Sequence, residues 1–154
     1  MIKQKDLLLV SCLRNNAREK LTSMSRKTNL PVSTIFDRIR NYEGNIIKKH
    51  TALLNFDELG FSARAHLLLK INKKDKETIT EFLMGHLNVN SLYKINNGYD
   101  YLVECVFKTI QDLEDFLELV DEKFSIKAKE VFYIISDLKK ESFMSDPNTM
   151  GLVC

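Results

Sequence analysis

The chain has 154 residues, 44% hydrophobic and 29% charged, with a formal net charge of +2. That composition excludes a disordered chain and suits one medium domain or two small ones. The longest apolar runs, such as residues 7–10 and 67–69, are far too short to span a bilayer, so no membrane contact is expected.

In chain order, residues 3–14 place Leu8, Leu9, Cys12 and Leu13 on one helical face. Asn15-Asn16 breaks the pattern, and residues 17–28 read as a second helix with Leu21 and Met24 inward. Asn29-Leu30-Pro31 is a turn, because Pro31 lacks an amide donor and disfavours helical geometry at Leu30. A third helix runs from about residue 32 to 43, with Ile35, Ile39 and Tyr42 on one face, and Gly44-Asn45 ends it. Three short helices with a tight turn before the third describe a helix-turn-helix over residues 1–45. Residues 46–60 read as an extended wing and linker that ends at Gly60.

Beyond Gly60 the period changes to two. Ala63, Ala65, Leu67, Leu69 and Ile71 alternate with Arg64, His66, Leu68 and Lys70, which predicts a strand. Residues 75–87 form a helix capped by Asp75, with Ile79, Phe82, Leu83 and Leu87 inward. Residues 90–96 form a strand, and Asn97-Gly98 is a strong hairpin signal. Tyr101, Val103, Cys105 and Phe107 alternate along the next strand. Thr109 caps a helix whose buried stripe is Ile110, Leu113, Leu117, Val120 and Phe124. A last strand spans about 129–136. The order βαββαβ is the ferredoxin-like unit, an αβ-sandwich over residues 61–142, and the overall class is α+β. Residues 143–154 show no periodicity and are expected to be a loose tail.

Charge and faces carry the functional signal. Residues 1–50 hold 11 Lys+Arg against 4 Asp+Glu, whereas residues 51–154 hold 12 against 17. A basic first third ahead of an acidic remainder fits a nucleic-acid-binding unit tethered to a body with another task. In a ferredoxin-like unit both helices cover one sheet face, which Leu67, Leu69, Val103, Phe107, Val131 and Tyr133 suit. The opposite face would show Leu68, Leu102, Val106, Phe132 and Ile134, with Arg64, Glu104 and Lys108 around them. An apolar patch on a bare sheet meets a partner, and self-association is the expected one. Cover by the wing or the tail is the alternative.

Several segments together resemble a known family. They are Asn16-Ala17-Arg18, residues 21–28, the stretch Leu30-Pro31-Val32-Ser33-Thr34-Ile35-Phe36-Asp37-Arg38-Ile39, Glu43, Leu59-Gly60 and Tyr99-Asp100-Tyr101-Leu102. Their order and spacing resemble the leucine-responsive/asparagine-regulator (Lrp/AsnC, feast/famine) family over residues 3 to about 142. Two positions depart from that pattern. Pro31 stands where a capping serine is usual, and Asn97 stands where a glycine is usual, with Gly98 one step later. The resemblance implies a transcription regulator that dimerises through its αβ domain, often assembles further to a tetramer or octamer, and senses small molecules, commonly amino acids.

On the third helix, Ser33, Thr34, Asp37, Arg38 and Asn41 fall on a stripe away from Ile35, Ile39 and Tyr42. Asn41 suits adenine and Arg38 suits guanine, though either can simply hold phosphate. Ser33 and Thr34 lie in the first turn, where free amides and hydroxyls suit a phosphate oxygen. Lys20, Arg26, Lys27 and Arg40 add charge toward the backbone of double-stranded DNA, with Lys48 and Lys49 on the wing. Asp37 would repel phosphate and is assigned to an ion pair with Arg40 before a cytosine amino group. The hairpin Asn97-Gly98-Tyr99-Asp100 offers amides, a phenol and a carboxylate in one turn and is the candidate effector loop; the alternative is a plain tight turn in a regulator that does not respond to free amino acids.

Catalytic and cofactor signals are poor. His50, His66 and His86 lie far apart without metal-ligand spacing, and no Walker, Rossmann or GxSxG motif occurs. Three scattered cysteines, Cys12, Cys105 and Cys154, lack CxxC spacing, which argues against a disulfide scaffold or a structural zinc site. The chain opens into an amphipathic segment without a signal-peptide pattern, so a cytoplasmic location is expected. The remaining alternative is an enzyme on the same scaffold, because some relatives of the family decarboxylate modified tetrapyrroles through His- and Arg-rich segments. Residues 88–145 contain neither His nor Arg.

Overall fold

The computed structural model describes residues 3–149. The elements are α1 (Gln4–Asn15), α2 (Leu21–Thr28), α3 (Val32–Tyr42), β1 (Ala63–Ile71), α4 (Lys76–Gly85), β2 (Val89–Lys94), β3 (Tyr101–Phe107), α5 (Ile110–Lys123) and β4 (Ile126–Tyr133). The chain divides into two compact units, Leu54–Asp137 and a second one made of the residues up to Leu53 and those from Leu138 onward. No helix among the described residues is long and apolar enough to cross a membrane.

The helical unit is built on a small core of Leu9, Cys12, Met24 and Ile35, with Leu13, Leu21, Leu30 and Ile39 against it. α2 begins four residues later than its sequence pattern suggests. The Asn16 side chain accepts the Arg18 amide at 3.0 Å, and the Glu19 amide bonds the Asn16 carbonyl, so a turn occupies the first positions. α2 ends where Asn29 turns left-handed at φ 52°, and Pro31 then opens α3. The wing is smaller than expected. Glu43 and Ile47 form an isolated bridge, and residues 48–60 contain no strand. The tail is also more ordered than its lack of periodicity implied. Arg14 of α1 pairs with Glu141 and donates to the Phe143 carbonyl at 3.3 Å, and Pro147–Thr149 forms a 3-10 turn. The last residues of the expected tail, including Cys154, lie outside the described ones.

The second unit is a four-stranded antiparallel sheet in the order β2-β3-β1-β4. Its inward face, Ala63 to Ile71 and Tyr101 to Phe107 at alternate positions, packs on Ile79 and Leu83 of α4 and Leu113, Phe116, Leu117 and Val120 of α5. Burial of each such aliphatic side chain contributes about 1.5–3 kcal/mol, so this layer is the main source of the unit's stability. Cys105 is buried in it, and burial pushes its thiol up to about 12, which leaves it unreactive.

Element edges moved for local reasons. β2 and β4 start one and three residues before the predicted strands, and β4 ends at Tyr133. Leu87 lies beyond the end of α4 and is fully exposed, and Ile110 at the first position of α5 is exposed rather than in the buried stripe. Asp75 does not cap α4 with its side chain. Its carboxylate accepts the Ser125 amide at 3.0 Å instead. α5 opens as the sequence indicated, with a full capping box. The Thr109 hydroxyl accepts the Asp112 amide at 3.1 Å, and the Asp112 carboxylate accepts the Thr109 amide at 3.0 Å. Thr109→Ala is therefore expected to cost about 1 kcal/mol in urea unfolding, and Thr109→Ser much less.

Candidate functional site

Three places on the two units carry the residues singled out by the sequence. The first is α3. Ile35 is buried and Ile39 packs against the same core, which turns Ser33, Asp37, Arg40 and Asn41 to solvent. None of these four side chains has a hydrogen bond or ion pair among the described residues, and Thr34 is half-buried at the edge of the same surface. The expected Asp37–Arg40 ion pair does not form.

Arg38 departs from expectation. It sits three residues after Ile35 and one before Ile39, on the shoulder of the buried stripe, where its guanidinium meets α1. It pairs there with Asp6, which is itself buried. Burial, and then a hydrogen bond to Asp6, pushes the Tyr42 hydroxyl up from its ordinary value. Asp6 thus ties α1 to α3 through two partners, and Arg38 belongs to that tie rather than to the open face. Lys27 is also spoken for, because its ammonium lies 2.6 Å from Glu19. Lys20, Arg26, Lys48 and Lys49 are exposed.

Two apolar residues on α3 escaped the sequence reading. Val32 and Phe36 are 39% and 53% exposed. Phe36, directly after Ile35, falls off the buried stripe by its spacing, whereas Val32 lies near the stripe by spacing and its exposure shows only in the structure.

The second place is the sheet face away from α4 and α5. Its register aligns Tyr93, Leu102, Leu68 and Glu130 in one row. The next row is Ser91, Glu104, His66 and Phe132, and Arg64 lies opposite Val106 beyond it. Leu68, Leu102 and Ile134 are half-buried, whereas Phe132 and Tyr93 are 50% and 55% exposed. Val106, expected on the open surface, is buried within the unit. Arg64 is buried too, with its guanidinium 2.7 Å from Asp137. Tyr93 was missed because its strand was predicted without a register.

The third place is the β2–β3 hairpin. Asn97 and Gly98 both hold positive φ, 64° and 95°, as the tight turn requires. The Tyr99 hydroxyl donates to Glu130 of β4, and that bond raises the phenol's pKa. Asp100 is committed internally. Its Oδ2 accepts the Ile71 amide at 2.8 Å and its Oδ1 accepts Lys76 Nζ at 2.5 Å. Its own amide donates to the Leu69 carbonyl at 2.8 Å. The Ile71 bond first, and the Lys76 bond second, hold its carboxyl below the ordinary range. This carboxylate clamps the hairpin to the end of β1 and the start of α4, rather than standing free to take a ligand's ammonium group. Elsewhere, no group of three His, Cys, Asp or Glu among the described residues could hold a metal ion.

A group whose folded pKa is lowered contributes stability above its unfolded pKa and loses it as pH falls through the folded one. Asp100→Ala is thus expected to cost about 1–2 kcal/mol at pH 7, chiefly through the Ile71 amide, because the half-exposed Lys76 partner is screened. In urea titrations the gap between wild type and variant should close as pH drops below about 4. A gap unchanged by pH would assign the effect to packing alone.

Comparison with known proteins shows the family. Residues 64–142 match the Lrp/AsnC ligand binding domain. The HTH-type transcriptional regulator FL11 of Pyrococcus horikoshii is 30% identical over 116 residues, which cover 75% of this chain and 77% of that protein. A transcriptional regulator of Neisseria meningitidis, solved as a complex with L-Met, superposes with a TM-score of 0.83 at 17% identity, covering 91% of this chain and 94% of the other. AsnC of E. coli superposes at 0.79 with 17% identity, covering 91% and 96%. The first two are named as transcriptional regulators, which supports the regulator reading over the decarboxylase alternative. With a basic helix-turn-helix ahead of a ferredoxin-like sheet, the chain belongs to the Lrp/AsnC family of transcription regulators.

Proposed function

We propose that this regulator reads duplex DNA with the outward face of α3, as a homodimer joined through the open face of its sheet. The observation that carries the reading is the solvent face of α3, where Ser33, Arg40 and Asn41 stand without internal partners. A recognition helix in the major groove needs such free donors for base edges and phosphates. Asp37, also free, suits a cytosine amino group. Thr34 contacts phosphate from the first turn, and Lys48 and Lys49 add charge beside it. Arg38 acts one step back, holding α3 on α1 through Asp6.

The dimer reading rests on the apolar row of the sheet. Leu68, Leu102, Phe132, Ile134 and Tyr93 offer a self-complementary surface, which a two-fold interface requires. Two copies would then meet a two-fold symmetric operator, and further assembly into a tetramer or octamer would array several such pairs. Val106 contributes less than the sequence suggested, since it is already buried within one copy.

An effector reading is supported more narrowly. The Asn97-Gly98 turn leaves backbone amides at the hairpin tip, and Asp100 shapes that turn from behind. A small molecule such as an amino acid held there would shift assembly if it bound the assembled states unequally. The L-Met in the Neisseria regulator is the motive for testing amino acids first. Calorimetry against the twenty amino acids tests it, and no heat from any of them, with an unchanged oligomer by scattering, would leave a regulator that does not respond to free amino acids.

For DNA, affinity is expected to fall steeply with salt, because each cation that neutralises a phosphate releases a condensed counterion. Arg40→Ala should weaken binding and flatten the log-log slope by about one, while Glu118→Ala on the exposed face of α5 leaves both unchanged. A wild-type slope near zero contradicts the reading. For assembly, light scattering at micromolar concentration should report at least a dimer. Leu68→Asp should shift it toward monomer, since an unpaired buried charge is costly. A monomeric wild type overturns the interface.

A further inference from the structure

The apolar work of α3 inside its unit is done by Ile35, with Ile39 against the same core. Phe36 nonetheless presents its ring to solvent at 53% exposure, with Val32 one turn before it at 39%. Single exposed apolar residues are ordinary. This pair is distinguished by its neighbours. Ser33 lies three residues before Phe36, Arg40 four residues after it, and side chains at those spacings adjoin on a helix surface. Any docking that brings Ser33 and Arg40 to DNA together therefore covers Phe36.

The chemistry of the groove narrows what it can meet there. A charged, hydrated phosphate is a poor neighbour for a phenyl ring. In the major groove the apolar group on a base edge is the C5-methyl of thymine. The basic helix-turn-helix supplies the attraction for the duplex, and the uncharged ring supplies a contact that reads one base. We propose that Phe36, backed by Val32, is a specificity-determining residue that recognises thymine through its methyl group. This rests on α3 being the DNA-reading helix.

The test is a cycle between one side chain and one methyl. Bound sequences are first selected from a random duplex pool with the wild-type chain. Each thymine of the selected site is then replaced in turn by deoxyuridine, which lacks only the methyl. At one position per half-site, the replacement should weaken wild-type binding about fourfold, the worth of one methyl taken out of water. Phe36→Ala should bind the thymine and deoxyuridine duplexes equally at that position, and Phe36→Leu should keep part of the difference. Coincident thermal unfolding of wild type and Phe36→Ala shows that the fold is intact, as expected for an exposed ring. Discrimination that survives in Phe36→Ala, or no deoxyuridine effect at any position, overturns the proposal. If salt-dependent DNA binding persists in either of those cases, only the role of Phe36 fails. If the chain does not bind duplex DNA at all, the reading of α3 fails with it.

Discussion

A four-stranded sheet with apolar side chains on both faces has two helices to cover it, and here both lie on the same side. α4 and α5 close over Leu67, Leu69, Val103 and Cys105, which leaves Leu68, Leu102 and Phe132 on the other face. Burial of such surface is the dominant favourable term in folding and association alike. The open face therefore leaves apolar surface that α4 and α5 do not cover, and the proposed homodimer would bury it against a second copy. In the proposed homodimer the two copies of α3 would be related by a two-fold axis, to be matched by symmetry in the site they bind.

The helical unit is held together by polar ties as much as by its core, which centres on four fully buried residues. Asp6 takes both Arg38 and Tyr42, Glu19 takes Lys27 and Ser23, and Arg14 takes the tail at Glu141 and Phe143. These contacts redistribute the unit's cations. Arg38 and Lys27 are engaged by Asp6 and Glu19, and Arg40 is left as the free guanidinium of α3. The hairpin shows the same logic, for Asp100 spends its charge on Ile71 and Lys76 so that Asn97 and Gly98 can hold their turn.

Much of this was legible in the sequence. Period two after Gly60, the Asn97-Gly98 turn and the Thr109 cap gave the sheet, its hairpin and α5, because each is set by local geometry. The buried stripe of α3 was legible for the same reason. What escaped depended on contacts between distant residues. Arg38 was placed on the DNA face because nothing local reveals Asp6, 32 residues earlier. Val106 and Tyr93 were misjudged or missed because the sheet register is a tertiary property. The contacts of Arg14 with Glu141 and the Phe143 carbonyl, at the start of the expected tail, have no signature in the local pattern either. Phe36 stands in the sequence as one member of the family-like stretch with no role of its own, and its exposure gives it meaning.

Hydroxyl-radical footprinting of a selected site tests the central claim most directly, because it reads both the pairing of chains and the docking of α3. The account predicts two protected patches of equal strength, related by a two-fold axis, with centres separated by about 34–36 Å or a multiple of it. A single protected patch, or protection without two-fold symmetry, would contradict it.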